Sequence, residues 1–139
     1  MGTESEPDYA ALLAFRVALR KFNRWTEDEA RAAGVTPAQH QLLLCVRGFA
    51  GVRGPTVGDI AELLLLRHHS TVELIDRAET AGLLARRPDE DDGRTLRIGL
   101  TPKGSRTLRR LSTTHEGEVR RLVGLLQPVL DAPARPAGN

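Results

Sequence analysis

Apolar residues recur every three or four positions along most of this chain, and the places where that rhythm fails mark its turns. Leu12, Phe15, Leu19, Phe22 and Trp25 form a helical stripe from Ala10 to about Ala33. Gly34 follows, at the position where a helix end favours a left-handed residue. Thr36-Pro37-Ala38-Gln39 opens a second helix. Here the Thr36 hydroxyl can accept from the third helical N–H, Pro37 sits where no donor is needed, and Gln39 can reach back. The apolar face of this helix is Leu42, Leu43, Val46 and Phe49. The segment GFAGVRGP, Gly48 to Pro55, reads as a loop. Thr56 with Asp59 caps a third helix whose buried stripe is Ile60, Leu63 and Leu64. A turn at Leu65 to Arg67 leads to a fourth helix with its core face at Thr71, Leu74, Ile75 and Ala78, closed by Gly82. Two starts fit this fourth helix. One lies near Arg67 or His68; the other is Ser70, which makes a capping box with Glu73.

The period then changes. Leu83 to Arg87 and Thr95 to Leu100 read as two strands, with Pro88 to Arg94 as the acidic, glycine-bearing tip between them. Thr101-Pro102 repeats the cap-then-proline start and opens a long helix to about Gln127. Its apolar positions are Leu108, Leu111, Val119, Leu122, Val123, Leu125 and Leu126, with Gly117 a candidate break. The polar start, Met1 to Pro7, and the proline-rich end, DAPARPAGN, are expected to be disordered. Two short helices around a tight turn, followed by a β-ribbon, make a helix-turn-helix with a wing. In that arrangement one helix can enter the DNA major groove while the ribbon reaches the neighbouring backbone.

Composition changes this picture little. At 139 residues the chain is expected to be one domain with a real core. It has no basic start joined to an apolar run, and no apolar stretch near membrane-spanning length, so a cytoplasmic protein without membrane partners is expected. Cys45 is the single cysteine, which excludes an intrachain disulfide. Twenty basic against eighteen acidic side chains give a net charge of only +2. From Arg67 to Arg97 the balance is six arginines against seven carboxylates, so charge alone would not nominate the helix-turn-helix as a DNA reader. Basic residues cluster instead in Arg16 to Arg24 and Lys103 to Arg121.

The stretch GLLARRPDEDDGRTLRIGLTPKG, Gly82 to Gly104, together with the preceding helix-turn-helix, resembles the multiple-antibiotic-resistance regulator (MarR) family of winged-helix repressors. The resemblance covers roughly Leu12 to Leu130. It implies a mainly α fold with a small β-wing, divided as an N-terminal dimerisation helix (1–34), a winged helix-turn-helix (35–100), C-terminal dimerisation helices (101–131) and a tail (132–139). It also implies a homodimer on a pseudo-palindromic DNA operator, repression as the default, and a small-molecule effector. The large apolar residues of the first and last helices fit that dimer, because burying each contributes about 1.5–3 kcal/mol.

With Thr71, Leu74, Ile75 and Ala78 inward, the fourth helix turns His68, His69, Val72, Glu73, Asp76 and Arg77 outward. Histidine and Ser70 can bond base edges or phosphates, and Val72 can meet a thymine methyl. Glu73 stands where relatives often carry a neutral or basic residue; a carboxylate can accept from cytosine but repels phosphate. At the wing, Asp92 and Arg94 match a pair typical of the family. The resemblance implies that Arg94 reaches the minor groove or its phosphates and that Asp92 holds the wing. Arg86 and Arg87 are candidate phosphate ligands. Gly93 replaces a residue commonly basic in relatives. In relatives, too, a short strand pairs with the wing from the loop before Pro55, and a pocket beside the dimerisation helices often holds ligand. Phe15, Trp25 and His40 are the candidates to line it here.

Other chemistry finds little footing. His68 and His69 point to different helix faces, and neither they nor His40 and His115 have close ligand spacing, so no metal and no cofactor is expected. Only Arg47 lies near Cys45, which reads as a small core residue and not as a reactive thiolate. No phosphate-binding glycine loop, metal motif or nucleophile elbow is present, and an enzyme is not expected. The alternative is a winged helix that binds protein, favoured by the acidic tip and Glu73.

Overall fold

The computed structural model describes residues 6–112 and 115–133, with backbone alone at 115 and 116. The expected disorder at 1–5 and 134–139 and the side chain of His115 lie outside the described residues. Helices α1 (Tyr9–Ala32), α2 (Pro37–Gly48), α3 (Val57–Leu64) and α4 (His68–Thr80) precede strands β1 (Leu84–Pro88) and β2 (Leu96–Leu100), and α5 (Pro102–Ser112) and α6 (His115–Leu130) follow. Thus the mainly helical fold with a two-stranded wing is met. Two compact units are present, residues 29–113 and residues 1–28 with 114–139.

In the first unit, sequence-coded caps set the elements. The Thr36 hydroxyl accepts from the Gln39 N–H at 3.1 Å, and the Gln39 side chain accepts from the Thr36 N–H. Thr56 and Asp59 repeat the reciprocal pair at the start of α3. Each box satisfies donors that a helix start otherwise leaves orphaned. Gly34 and Gly82, both at positive φ, end α1 and α4 as expected. The core gathers Leu42 and Leu43 of α2, Ile60 of α3, Ile75 and Ala78 of α4, Leu83, Ile98 of β2 and Leu108 of α5. Leu63 departs from the expected stripe: it is 57% exposed, and the eight-residue α3 turns mainly Ile60 to the core.

β1 and β2 pair antiparallel, Leu84 opposite Leu100 and Arg87 opposite Arg97. Thr101 then starts α5, its hydroxyl accepting from the Gly104 N–H at 3.0 Å while its own N–H donates to the Leu83 carbonyl. A Cβ on Gly104 would stand 2.1 Å from that carbonyl oxygen, so only glycine lets α5 back onto the turn that leads into β1. The segment before Pro55 forms no strand; a single backbone bond, Ile98 N–H to the Pro55 carbonyl, ties it to the wing. Ile98 buries its side chain in the core while its N–H makes that tie.

In the second unit, α1 through Asp28 and α6 carry exposed Leu12, Leu13, Phe15, Val17, Val119, Val123 and Leu130. Gly117 lies inside α6 and does not break it; the junction at 113 and 114 is outside the described residues. No helix among the described residues is long and apolar enough to cross a membrane.

Candidate nucleic-acid interface

The turn and the start of α4 decide which side chains are offered outward. Leu65 adopts the left-handed conformation (φ 54°, ψ 42°) as the C-cap of α3, and Arg67 is the extended N-cap of α4. Of the two starts open in the sequence, α4 takes His68. Ser70 is then already helical, and the Thr71 hydroxyl donates back to the Arg67 carbonyl at 2.9 Å. Thr71, Ile75 and Ala78 are buried, Leu74 half-buried. Opposite them His69, Glu73, Asp76 and Thr80 form an exposed stripe, one residue per turn or nearly so. His68 and Arg77 are exposed at its margins, whereas Ser70 and Val72 are half-buried.

That stripe is acidic, and β1 answers it. The Arg86 guanidinium bonds the Asp76 carboxylate and lies 3.2 Å from Glu79. Hydrogen bonding to Asp76, with the Glu79 charge adding to it against the cost of burial, pushes the Arg86 pKa above its ordinary value. Arg86, a candidate phosphate ligand in the sequence, forms here a tie between β1 and α4 that offsets acidic charge on the helix. Arg87, one residue on and facing the other way, is exposed.

The wing tip is built on two aspartates. Asp92 is the anticipated one: its carboxylate accepts from the Arg94 N–H at 3.0 Å and from the Thr95 hydroxyl at 3.1 Å. The Arg94 side chain is exposed, and among the described residues no ion pair engages it. Asp89 was missed, because in the sequence it is one of four consecutive acids. Its side chain is only 5% exposed. It accepts from Arg97 Nε at 3.1 Å, from Arg53 at 3.3 Å and from the N–H groups of Asp91 and Asp92. Arg97 also donates to the Gly54 carbonyl, and Arg53 pairs with Asp91. Burial alone would raise the Asp89 pKa; the Arg97 bond, the two backbone N–H groups and the Arg53 charge outweigh it and hold the carboxyl below its ordinary 3.8. The loop at 53 and 54, read as a loop from the sequence, is thereby locked to the wing by side chains where relatives pair a short strand.

The three residues expected to line an effector pocket stand in different surroundings. Phe15 is exposed on α1, and Trp25 is half-buried with its ring 6.0 Å from that of Phe22. His40 is buried on α2 in the other unit. An apolar cleft of about 500 Å³ that the sequence did not announce lies between α2 and α3, lined by Leu44, Cys45, Phe49, Leu63 and Leu64 among others. Cys45 is half-buried there, and burial, helped by the Asp59 charge, pushes its thiol pKa up, away from thiolate reactivity.

A capped helix-turn-helix with an exposed helix face and a side-chain-locked wing defines the class, a winged helix-turn-helix. Residues 33–95, which hold that unit from the end of α1 to the wing tip, match the model of the MarR family. The winged-helix region of the chain is thus similar to the MarR family. Solved structures share the fold. A MarR family transcription regulator is 22% identical with a TM-score of 0.70, covering 84% of this chain and 75% of its own. A mutant of S. aureus MepR bound to an oligodeoxyribonucleotide is 23% identical with a TM-score of 0.65, covering 86% and 84%. A mutant of E. coli MarR complexed with operator DNA is 18% identical with a TM-score of 0.67, covering 78% and 76%. No curated protein matches the chain by sequence.

Proposed function

We propose that the protein is a sequence-specific DNA-binding transcriptional regulator that acts as a homodimer on a pseudo-palindromic operator and represses in the absence of an effector. The observation that carries this reading is the pairing of an exposed α4 face with a wing whose tip is fixed in shape while Arg94 stays outward. Such a unit inserts its second helix in the major groove and lays the ribbon on the backbone. His68, His69, Ser70, Val72, Glu73 and Arg77 then form the base-reading and phosphate-positioning set of α4. Arg87 and Arg94 meet phosphates or the minor groove, and Asp92 shapes the tip. Arg86 serves from behind, since its pairing with Asp76 and Glu79 lowers the repulsion that α4 would otherwise present to phosphate. Exposed large apolar side chains on α1 and α6 supply surface for self-association. Two relatives with this fold are described as bound to an oligodeoxyribonucleotide and to operator DNA. The fold and the absence of any nucleophile or cofactor motif favour regulation over catalysis, in the cytoplasm.

Glu73 at the centre of the exposed stripe favours a second reading, a winged helix that docks a basic protein surface. Selection of bound sequences from random duplexes separates the two. The regulator reading predicts an enriched inverted repeat with half-sites about one helical turn, ~34 Å, apart. Recovery of no consensus would overturn it and leave the interaction module.

A further inference from the structure

The unit formed by the terminal helices holds a polar site that the winged-helix reading does not use. Arg20, Lys21 and Arg24 of α1 and Arg121 of α6 line a cleft of about 400 Å³ together with the Trp25 indole and Asp28. Four cations against one carboxylate leave the lining strongly positive. Arg20 and Arg24 stand one helical turn apart, a spacing at which like charges oppose helix stability. Among the described residues, none of the four cations is held in an ion pair. Arg121 comes from a different helix, so the cluster is not one helix's solvated face. A cleft of this size lies in the range of small-molecule sites.

The geometry points to a binding site for a nucleoside polyphosphate: a planar base against the Trp25 indole, and phosphates across Arg20, Lys21, Arg24 and Arg121. Guanidinium forks match phosphate oxygens two at a time, and an indole offers a stacking surface that cations alone do not. More than one negative charge is needed, because a single carboxylate would leave most of the lining charge uncompensated. The proposal does not depend on the winged-helix reading.

Trp25 is the only tryptophan, so its fluorescence reports the cleft directly. Purified full-length protein is titrated in magnesium-free buffer with ATP, AMP, adenosine and inorganic tripolyphosphate. ATP should quench saturably, AMP more weakly and adenosine not at all. Arg20→Ala, Arg24→Ala and Arg121→Ala should each raise the ATP Kd roughly tenfold, the size expected for losing one charge-assisted bond. Arg121→Lys, which keeps the charge but loses the fork, should retain only part of the binding, Arg94→Ala on the wing should retain all of it, and circular dichroism should show intact helices throughout. The assignment is overturned by no saturable quench at millimolar ATP, by equal quenching with adenosine, or by an unchanged Kd in Arg121→Ala. Tripolyphosphate binding as tightly as ATP would also overturn it, since the base would then contribute nothing.

Discussion

Leu65 turns the chain between α3 and α4 in a conformation that an L-residue adopts at a cost of roughly 1–2 kcal/mol. Its side chain is 91% exposed, so no packing offsets that cost. Leu65→Gly should therefore stabilise the protein by about 0.5–1 kcal/mol, the relief being partly cancelled by glycine's larger unfolded-state entropy. Thermal unfolding checks this; an unchanged or lower Tm would show that the leucine makes a contact the turn needs. Asp89 is the opposite case, a charge that is buried and fully partnered. Its carboxyl pKa lies below the ordinary value, so its contribution to stability is complete above about pH 4 and is lost as pH falls through the lower folded-state value. Asp89→Asn should reduce stability at pH 7 and flatten the loss of stability below pH 4. If denaturation midpoints across pH 2–7 run parallel for variant and wild type, the carboxylate is not what locks the wing.

The two elements that meet DNA in the proposed function should fail in different ways. Arg94→Ala removes one backbone contact per subunit, so binding should weaken across many sequences and the salt slope should fall by roughly 2, at about 0.9 per phosphate. Arg86→Ala should weaken binding while also lowering Tm, because it frees Asp76 and Glu79 and unties β1 from α4. Binding titrations over salt, set beside thermal melts, distinguish these; an Arg94→Ala protein with unchanged affinity and slope would remove the wing from the interface. How far these elements were legible follows from the range of the forces that make them. The caps at Thr36, Thr56 and Thr101 act over three residues, and the sequence displays them whole. The inward face of α4 follows from periodicity. The Arg86 tie spans ten residues to Asp76 and the Arg53–Asp89 pair spans thirty-six, so neither has a local signature. Leu63 and Gly117 misled for the same reason. Both carry a local preference, one for burial and one for breaking a helix, that context overrules.

At the scale of the whole molecule the proposed dimer rests on α1 and α6. The most exposed large side chains there include Leu13 and Leu130, with Val123 between the half-buried Leu122 and Leu126. Leu13→Glu combined with Val123→Glu should give a monomer in sedimentation, with helical content retained and operator affinity lost together. A wild type already monomeric at micromolar concentration while binding DNA tightly would contradict the dimer. The most direct measurement takes the selected operator and inserts five base pairs at its dyad, about half a helical turn. Two recognition helices held by one dimer then face half-sites on opposite sides of the duplex. The account predicts that affinity falls to the level of non-specific DNA; full affinity for the altered operator would contradict it.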